Sequence, residues 1–195
     1  MKHAKPKMLY GKRYQRIDTK NLGEGGMGQT MLAKDLETNK IVVLKRAKGN
    51  QKWAIKEAQT LRKLDHPNII KYLNSFQEGD EYIIVQEFAD AMDLNKYMKE
   101  KHPNGLPEEE ILKIFPQIMF GLQYCHSPAV RVLHRDIKAA NIFLFRNGVV
   151  KLGDFGVSKE LSLKNLTESF VGTPQFMSPE LVNKRKYSFP TDKCC

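Results

Sequence analysis

A chain of 195 residues is long enough for one substantial core or two small lobes, and 41% hydrophobic with 28% charged residues is an ordinary soluble composition, which excludes fibrous and membrane-embedded classes. The net charge of +10, from 32 Lys and Arg against 22 Asp and Glu, raises polyanion binding. The basic residues are spread out without interleaved aromatics, so a solvated basic surface is the preferred reading and no nucleic-acid partner is expected.

No apolar run approaches the roughly 18 residues needed to cross a bilayer, and the start, Met1-Lys2-His3-Ala4-Lys5-Pro6-Lys7, lacks a signal-peptide core. No membrane association and a cytoplasmic location are expected. Three cysteines without metal-ligand spacing fit a reducing compartment. Cys125 sits in an apolar helical pattern, and Cys194-Cys195 does not form the four-residue prenylation signal.

In chain order, residues 1–13 read as a basic tail. Tyr14 to Leu22 reads as a strand, followed by Gly23-Glu24-Gly25-Gly26-Met27-Gly28 and a second strand, Gln29 to Lys34. Glycines at 23, 25 and 28 let a turn approach phosphate oxygens with bare N–H groups. Strand continues after them where a dinucleotide fold would start a helix, so they belong at a hairpin tip. A third strand, Ile41 to Arg46, carries Lys45 in an apolar run, and a buried charge there needs a partner or an anionic ligand. Glu57 is the candidate, in a helix from about Gln51 to Leu64 where Trp53, Glu57, Leu61 and Leu64 share one face. His66-Pro67-Asn68 ends that helix. Ile69 to Phe76 and Tyr82 to Val85 read as two more strands, and Gln86 to Ala89 as a connector into a helical half.

Leu106-Pro107-Glu108-Glu109-Glu110 opens a long helix, with proline in the first turn and acids at the positive end of its dipole. Ile111, Phe115, Ile118, Leu122 and Cys125 are expected on its buried face, and Pro116 is expected to kink or break it.

Two apolar runs flanking Asn147-Gly148 then predict a β-hairpin with a type I′ turn. With those two residues as the loop, Arg146 faces Val149 and Asn141 comes level with Asp154. An amide and a carboxylate side by side, with Asp136 just upstream, suit Mg²⁺, which takes one or two carboxylates and completes its shell with water and substrate phosphates.

Together these residues resemble a eukaryotic protein kinase over nearly the whole chain. The glycine loop, Val42-Val43-Leu44-Lys45, Glu57, His134-Arg135-Asp136 with Lys138 and Asn141, Asp154-Phe155-Gly156 and Ser178-Pro179-Glu180 occur in the family's order and spacing. The wording Ile137 to Leu144 with Gly172 to Glu180 is most similar to the NIMA-related serine/threonine kinases, with the sterile-20-like group second. The resemblance implies an α+β, two-lobed fold: an antiparallel-sheet N-lobe with one helix over 14–88, and a mainly helical C-lobe over 89–195, incomplete at its C-terminal end.

It also implies ATP and Mg²⁺ as cofactors, protein Ser/Thr hydroxyls as acceptors, and roles for single residues. Asp136 would take the hydroxyl proton, Asn141 and Asp154 would hold Mg²⁺, Lys138 would neutralise the γ-phosphate, and Lys45, held by Glu57, would grip the other phosphates. Leu22, Gly23, Glu24, Gly25, Gly26, Gly28, Thr30, Val43, Glu87, Ala89, Asp93 and Phe143 would line the nucleotide, with Gln86 as gatekeeper. Thr173 would tie Asp136 to Lys138, and Asp192 would brace the backbone at His134 and Arg135. Arg135 implies control by phosphorylation at Thr167 or Ser169, by an activating kinase or by the chain itself. A cytoskeletal or ciliary association comes from the resemblance alone.

Thr30 stands where the family usually has valine and Val43 where it has alanine, which alters the roof of the nucleotide pocket. The chain ends three residues after Asp192, before the family's central helix. The resemblance therefore leaves two readings, a serine/threonine kinase or a truncated, non-catalytic module that binds nucleotide or a partner covering the incomplete lobe.

Overall fold

The computed structural model describes residues 8–17, 23–25, 28–49, 51–161, 172–183, 185 and 187–193. Leu22, Gly26, Thr167, Ser169, Cys194 and Cys195 lie outside the described residues. The chain forms two compact units, one from Met1–Ala58 and Tyr72–Phe88, the other from Gln59–Lys71 and Ala89–Cys195.

The first unit holds β1 (Leu9–Tyr10), β2 (Tyr14–Arg16), β3 (Gly23–Gly25), β4 (Gly28–Asp35), β5 (Ile41–Lys48), the first half of α1 (Lys52–Lys63), β6 (Tyr72–Glu78) and β7 (Glu81–Glu87). The strands form one antiparallel sheet in the order β1-β2-β4-β5-β7-β6, with β3 paired to β4. Alternation decides its faces. Met31, Ala33, Val42, Leu44, Ile83 and Val85 point one way and close a core with Tyr10 and Tyr14.

Three expectations change here. Leu9 and Tyr10, read as tail, pair with Gln15 and Tyr14, because Tyr10 has a core to enter. The strand read from Ile69 starts at Tyr72; Ile69 and Ile70 instead pair with Leu152 of the second unit. Trp53 is half exposed, since the buried stripe of α1 runs through Ala54, Glu57, Ala58 and Leu61, and Trp53 falls at its edge.

Arg13, the last residue of the expected tail, anchors this end of the sheet. Its Nε and Nη2 donate to the two carboxylate oxygens of buried Asp35, both at 2.7 Å. The Glu37 amide and the Thr38 hydroxyl also donate to Asp35, at 3.0 and 2.8 Å. The Arg13 guanidinium therefore holds the Asp35 carboxyl well below the usual carboxylate range. A depressed carboxyl stabilises the fold above its unfolded value, about pH 3.9, and that contribution is lost as the pH falls toward the folded value. Asp35→Asn is expected to lower the urea midpoint at pH 7 and to flatten the fall of stability below about pH 4. An unchanged acid slope in melts from pH 3 to 7 would contradict this.

The second unit contains α2 (Leu94–Lys101), α3 (Glu108–His126), β8 (Val132–Leu133), β9 (Ile142–Leu144), β10 (Val150–Leu152), β11 (Lys159–Glu160) and α4 (Pro179–Val182). β9 pairs with β10 and β8 with β11, both antiparallel. Leu94, Ile114, Leu122, Ile137, Ile142, Val150 and Leu152 form its main core. Helix α3 runs through Pro116 without the expected break; the proline lies on the exposed side. Of its expected buried face, Leu122 and Cys125 are inside and Ile118 packs against the core, but the N-terminal part differs. Ile114, Gly121, Leu122 and Cys125 are inside, whereas Ile111, Leu112, Phe115 and Phe120 are exposed. Among the described residues no helix is long and apolar enough to cross a membrane.

Candidate active site

In the first unit, β3 and β4 form the expected glycine hairpin, with Gly25 opposite Gly28. Gly28 has φ +128°, and a Cβ there would sit 1.8 Å from the Arg46 carbonyl oxygen, so only glycine fits. Lys45 and Glu57 meet as their positions suggested, Nζ to Oε1 at 2.6 Å, with the Glu57 side chain only 5% exposed. A charge pair so buried fixes the lysine's direction more than it adds stability.

The second unit carries the loop from His134 to Asn141. Buried His134 donates from Nε2 to the Gly153 carbonyl at 2.9 Å, and its Nδ1 accepts the Asp136 amide at 3.3 Å. Four donors converge on the Asp136 carboxylate. The Thr173 amide and hydroxyl reach Oδ1 at 2.9 and 2.6 Å, and Asn141 Nδ2 and Lys138 Nζ reach Oδ2 at 2.9 and 2.7 Å. The Thr173 hydroxyl also accepts from Lys138 Nζ at 2.6 Å, so it bridges base and lysine. Burial pushes the Asp136 carboxyl up, but bonds from Lys138, Thr173 and Asn141 with the Lys138 charge outweigh it, and the carboxyl sits below its ordinary value.

The hairpin after this loop has a different register from the expected one. Val150 pairs with Leu144 and Leu152 with Ile142, one residue off the predicted pairing. The loop has three residues, 146–148: the Phe145 amide donates to the Val149 carbonyl, and only Gly148 has positive φ, +84°. Asn147 keeps negative φ because its side chain accepts the Val149 amide at 3.1 Å, so a type I turn with a glycine bulge replaces type I′. Asn141 consequently stands opposite Gly153, whose amide donates to its carbonyl at 2.9 Å, and not opposite Asp154.

The Asn141 carboxamide turns to Asp136 instead, donating from Nδ2 to its carbonyl oxygen at 2.8 Å as well as to Oδ2. That aims its Oδ1 away from Asp136 as a neutral oxygen ligand. With the Asp154 carboxylate two residues beyond Leu152, this donor chemistry fits Mg²⁺ completed by water and phosphates. Among the described residues no three His, Cys, Asp or Glu side chains gather around a metal-sized space.

The remaining predicted residues are placed as follows. Asp93 caps α2, with Oδ1 accepting the Lys96 amide at 2.9 Å, and its backbone bridges to Phe143. The helix it caps was not read from the sequence, although an Asp at its start is a common N-cap signal. Thr30, Val43 and Glu87 lie on β4, β5 and β7, and Ala89 follows β7. Arg135 is buried and donates to the Val157 and Ser158 carbonyls at 2.6 and 3.5 Å and to the Tyr187 hydroxyl at 3.2 Å. The contact between Arg135 and Tyr187 was not read from the sequence. Asp192 accepts the His134 and Arg135 amides, each at 2.7 Å, and pairs with His126 at 2.8 Å, a contact no local pattern announced.

The protein kinase domain model matches residues 16–193 of the chain. The chain is 39% identical over 182 residues to the human serine/threonine-protein kinase Nek5, covering 89% of this chain and 25% of the relative. Human Nek11 is 36% identical over 199 residues, covering 96% and 30%, and mouse Nek4 35% over 186 residues, covering 89% and 23%. The chain thus spans about a quarter of the length of these curated relatives. With the family model matching nearly all of it, this chain belongs to the protein kinase family and is similar to its NIMA-related serine/threonine members.

Proposed function

We propose that the chain transfers the γ-phosphate of ATP to serine and threonine hydroxyls of proteins. The observation that carries this reading is the Asp136 carboxylate, ionised and held by Thr173, Lys138 and Asn141. Asp136 accepts the proton of the attacking hydroxyl. All four of its lone-pair positions are taken, so one donor must yield first. Lys138 is suited to do so, because its flexible ammonium can turn toward phosphate and free Oδ2. Bound Mg²⁺ would supply charge neutralisation, with Asn141 and Asp154 as its ligands. Lys45, oriented by Glu57, holds phosphate oxygens in this reading, and protein substrates with Ser or Thr are the partners.

Phosphorylation at Thr167 or Ser169, by an upstream kinase or by the chain itself, completes the proposal. The test is transfer of labelled phosphate from ATP to a generic basic protein. Asp154→Ala is expected to lower the rate at least about 100-fold. Equal rates for the two proteins would sink the reading.

A further inference from the structure

Thr191 is fully buried one residue before Asp192, and its hydroxyl donates to the Glu180 carboxylate at 2.6 Å. A hydroxyl that close to a carboxylate makes one of the stronger hydrogen bonds, and it holds the Glu180 carboxyl below its ordinary value. The bond lies between two segments that both grip the loop carrying Asp136.

One segment ends in Asp192, which holds the His134 and Arg135 amides. The other begins at Gly172. A Cβ there would sit 2.4 Å from the Arg135 carbonyl oxygen, so the chain passes against the loop, and Thr173 next to it donates twice to Asp136 Oδ1. The backbone then makes a tight turn, the Phe176 amide donating to the Thr173 carbonyl at 2.9 Å, and enters α4, which carries Glu180. Three consecutive residues, 134 to 136, are thus held from two sides, and Thr191 and Glu180 join the sides.

Apolar packing backs this join without fixing it. Leu133, Leu161, Leu181 and Tyr187 form a core with Met177 and Phe189 against it, which presses α4 toward the segment at 187–189. Such contacts are non-directional. A hydrogen bond has a preferred distance and angle, so it sets where α4 comes to rest.

We propose that Thr191 is a positioning residue for phosphate transfer: its bond to Glu180 couples the Asp192 hold to the Thr173 hold, so that the Asp136 carboxylate keeps one orientation. The role in transfer rests on the activity proposed above; the coupling does not.

The test compares the 195-residue chain with Thr191→Val, which keeps the side chain's shape without the hydroxyl, and Thr191→Ser, which keeps the hydroxyl. Below the melting transition, the valine variant is expected to lower kcat at least about fivefold with KM for ATP within about twofold, and the serine variant to restore it. Amide hydrogen exchange in peptides covering 133–137 and 172–177 is expected to quicken at least about fivefold in both for valine and in neither for serine. Glu180→Ala removes the acceptor from a half-exposed position, should reproduce both effects, and carries the test if the valine variant does not fold. Combined with Thr191→Val it should add less than about twofold. Faster exchange in only one of the two peptides or in neither, or a serine variant that behaves like valine, overturns the coupling. Faster exchange in both with kcat unmoved overturns the role in transfer. An unaltered chain that transfers no phosphate overturns the activity reading, and exchange then decides the coupling alone.

Discussion

Asp136→Asn is expected to lower kcat for phosphate transfer by about 10²–10⁴-fold while KM for ATP changes by less than about threefold. The substitution keeps the shape of the side chain and removes its ability to take a proton. It also faces an NH₂ group either toward the two Thr173 donors at Oδ1 or toward Lys138 and Asn141 at Oδ2, so donors meet donors whichever way the amide turns. Thr173 and Lys138 would then lose their common anchor. Because the Asp136 carboxyl lies below its ordinary value of about 3.9, it stays ionised throughout the range above that value. An acid limb in the kcat profile above about pH 5 should therefore survive in the variant's residual activity, since it belongs to another group. A variant with normal kcat and raised KM would move Asp136 from proton acceptor to binding residue.

Asp192→Ala should cost about 2–6 kcal/mol of stability. The loss follows from two backbone amides, at His134 and Arg135, each donating 2.7 Å to this one carboxylate. Asp192 is 1% exposed and His134 fully buried, so water cannot replace the acceptor without opening the fold. Each orphaned amide costs about 1–3 kcal/mol. Asp192 also holds Arg135 in the left-handed region, φ +70°, which a non-glycine residue keeps only under constraint. Asp192→Asn retains one acceptor oxygen and should fall between the two. Denaturant melts measure the difference, and a loss under about 1 kcal/mol for the alanine variant would show that the amides find other partners.

The elements that alternation or helical spacing governs were legible in the sequence: β4, β5, α1 and β7 lie where the apolar pattern put them. Lys45 and Glu57 could be paired because each was a charge in an apolar stretch needing the other. What failed was phase. The hairpin slipped by one residue because Asn147 uses its side chain on its own turn, a choice the dipeptide Asn-Gly does not reveal. In α1 and α3 the expected stripes held at Glu57, Leu61, Leu64, Leu122 and Cys125 and failed at their N-terminal ends. A hydrophobic spacing rule counted Trp53, Ile111 and Phe115 as inward, yet small residues, Ala54, Ala58 and Gly121, mark where the helices approach their neighbours. Tyr187 and His126 were invisible because their partners lie 52 and 66 positions away.

The distance along the chain between Asp192 and the amides it holds, 58 and 57 residues, also sets an order of events in biosynthesis. Proteins leave the ribosome from the N-terminus, so the glycine hairpin, Lys45, Glu57 and the loop from His134 to Asn141 all emerge before the carboxylate that fixes that loop. A nascent chain can complete its first unit early and still lack the backbone geometry at Arg135. The backbone geometry at His134 and Arg135 should thus be completed only after residue 192 has emerged.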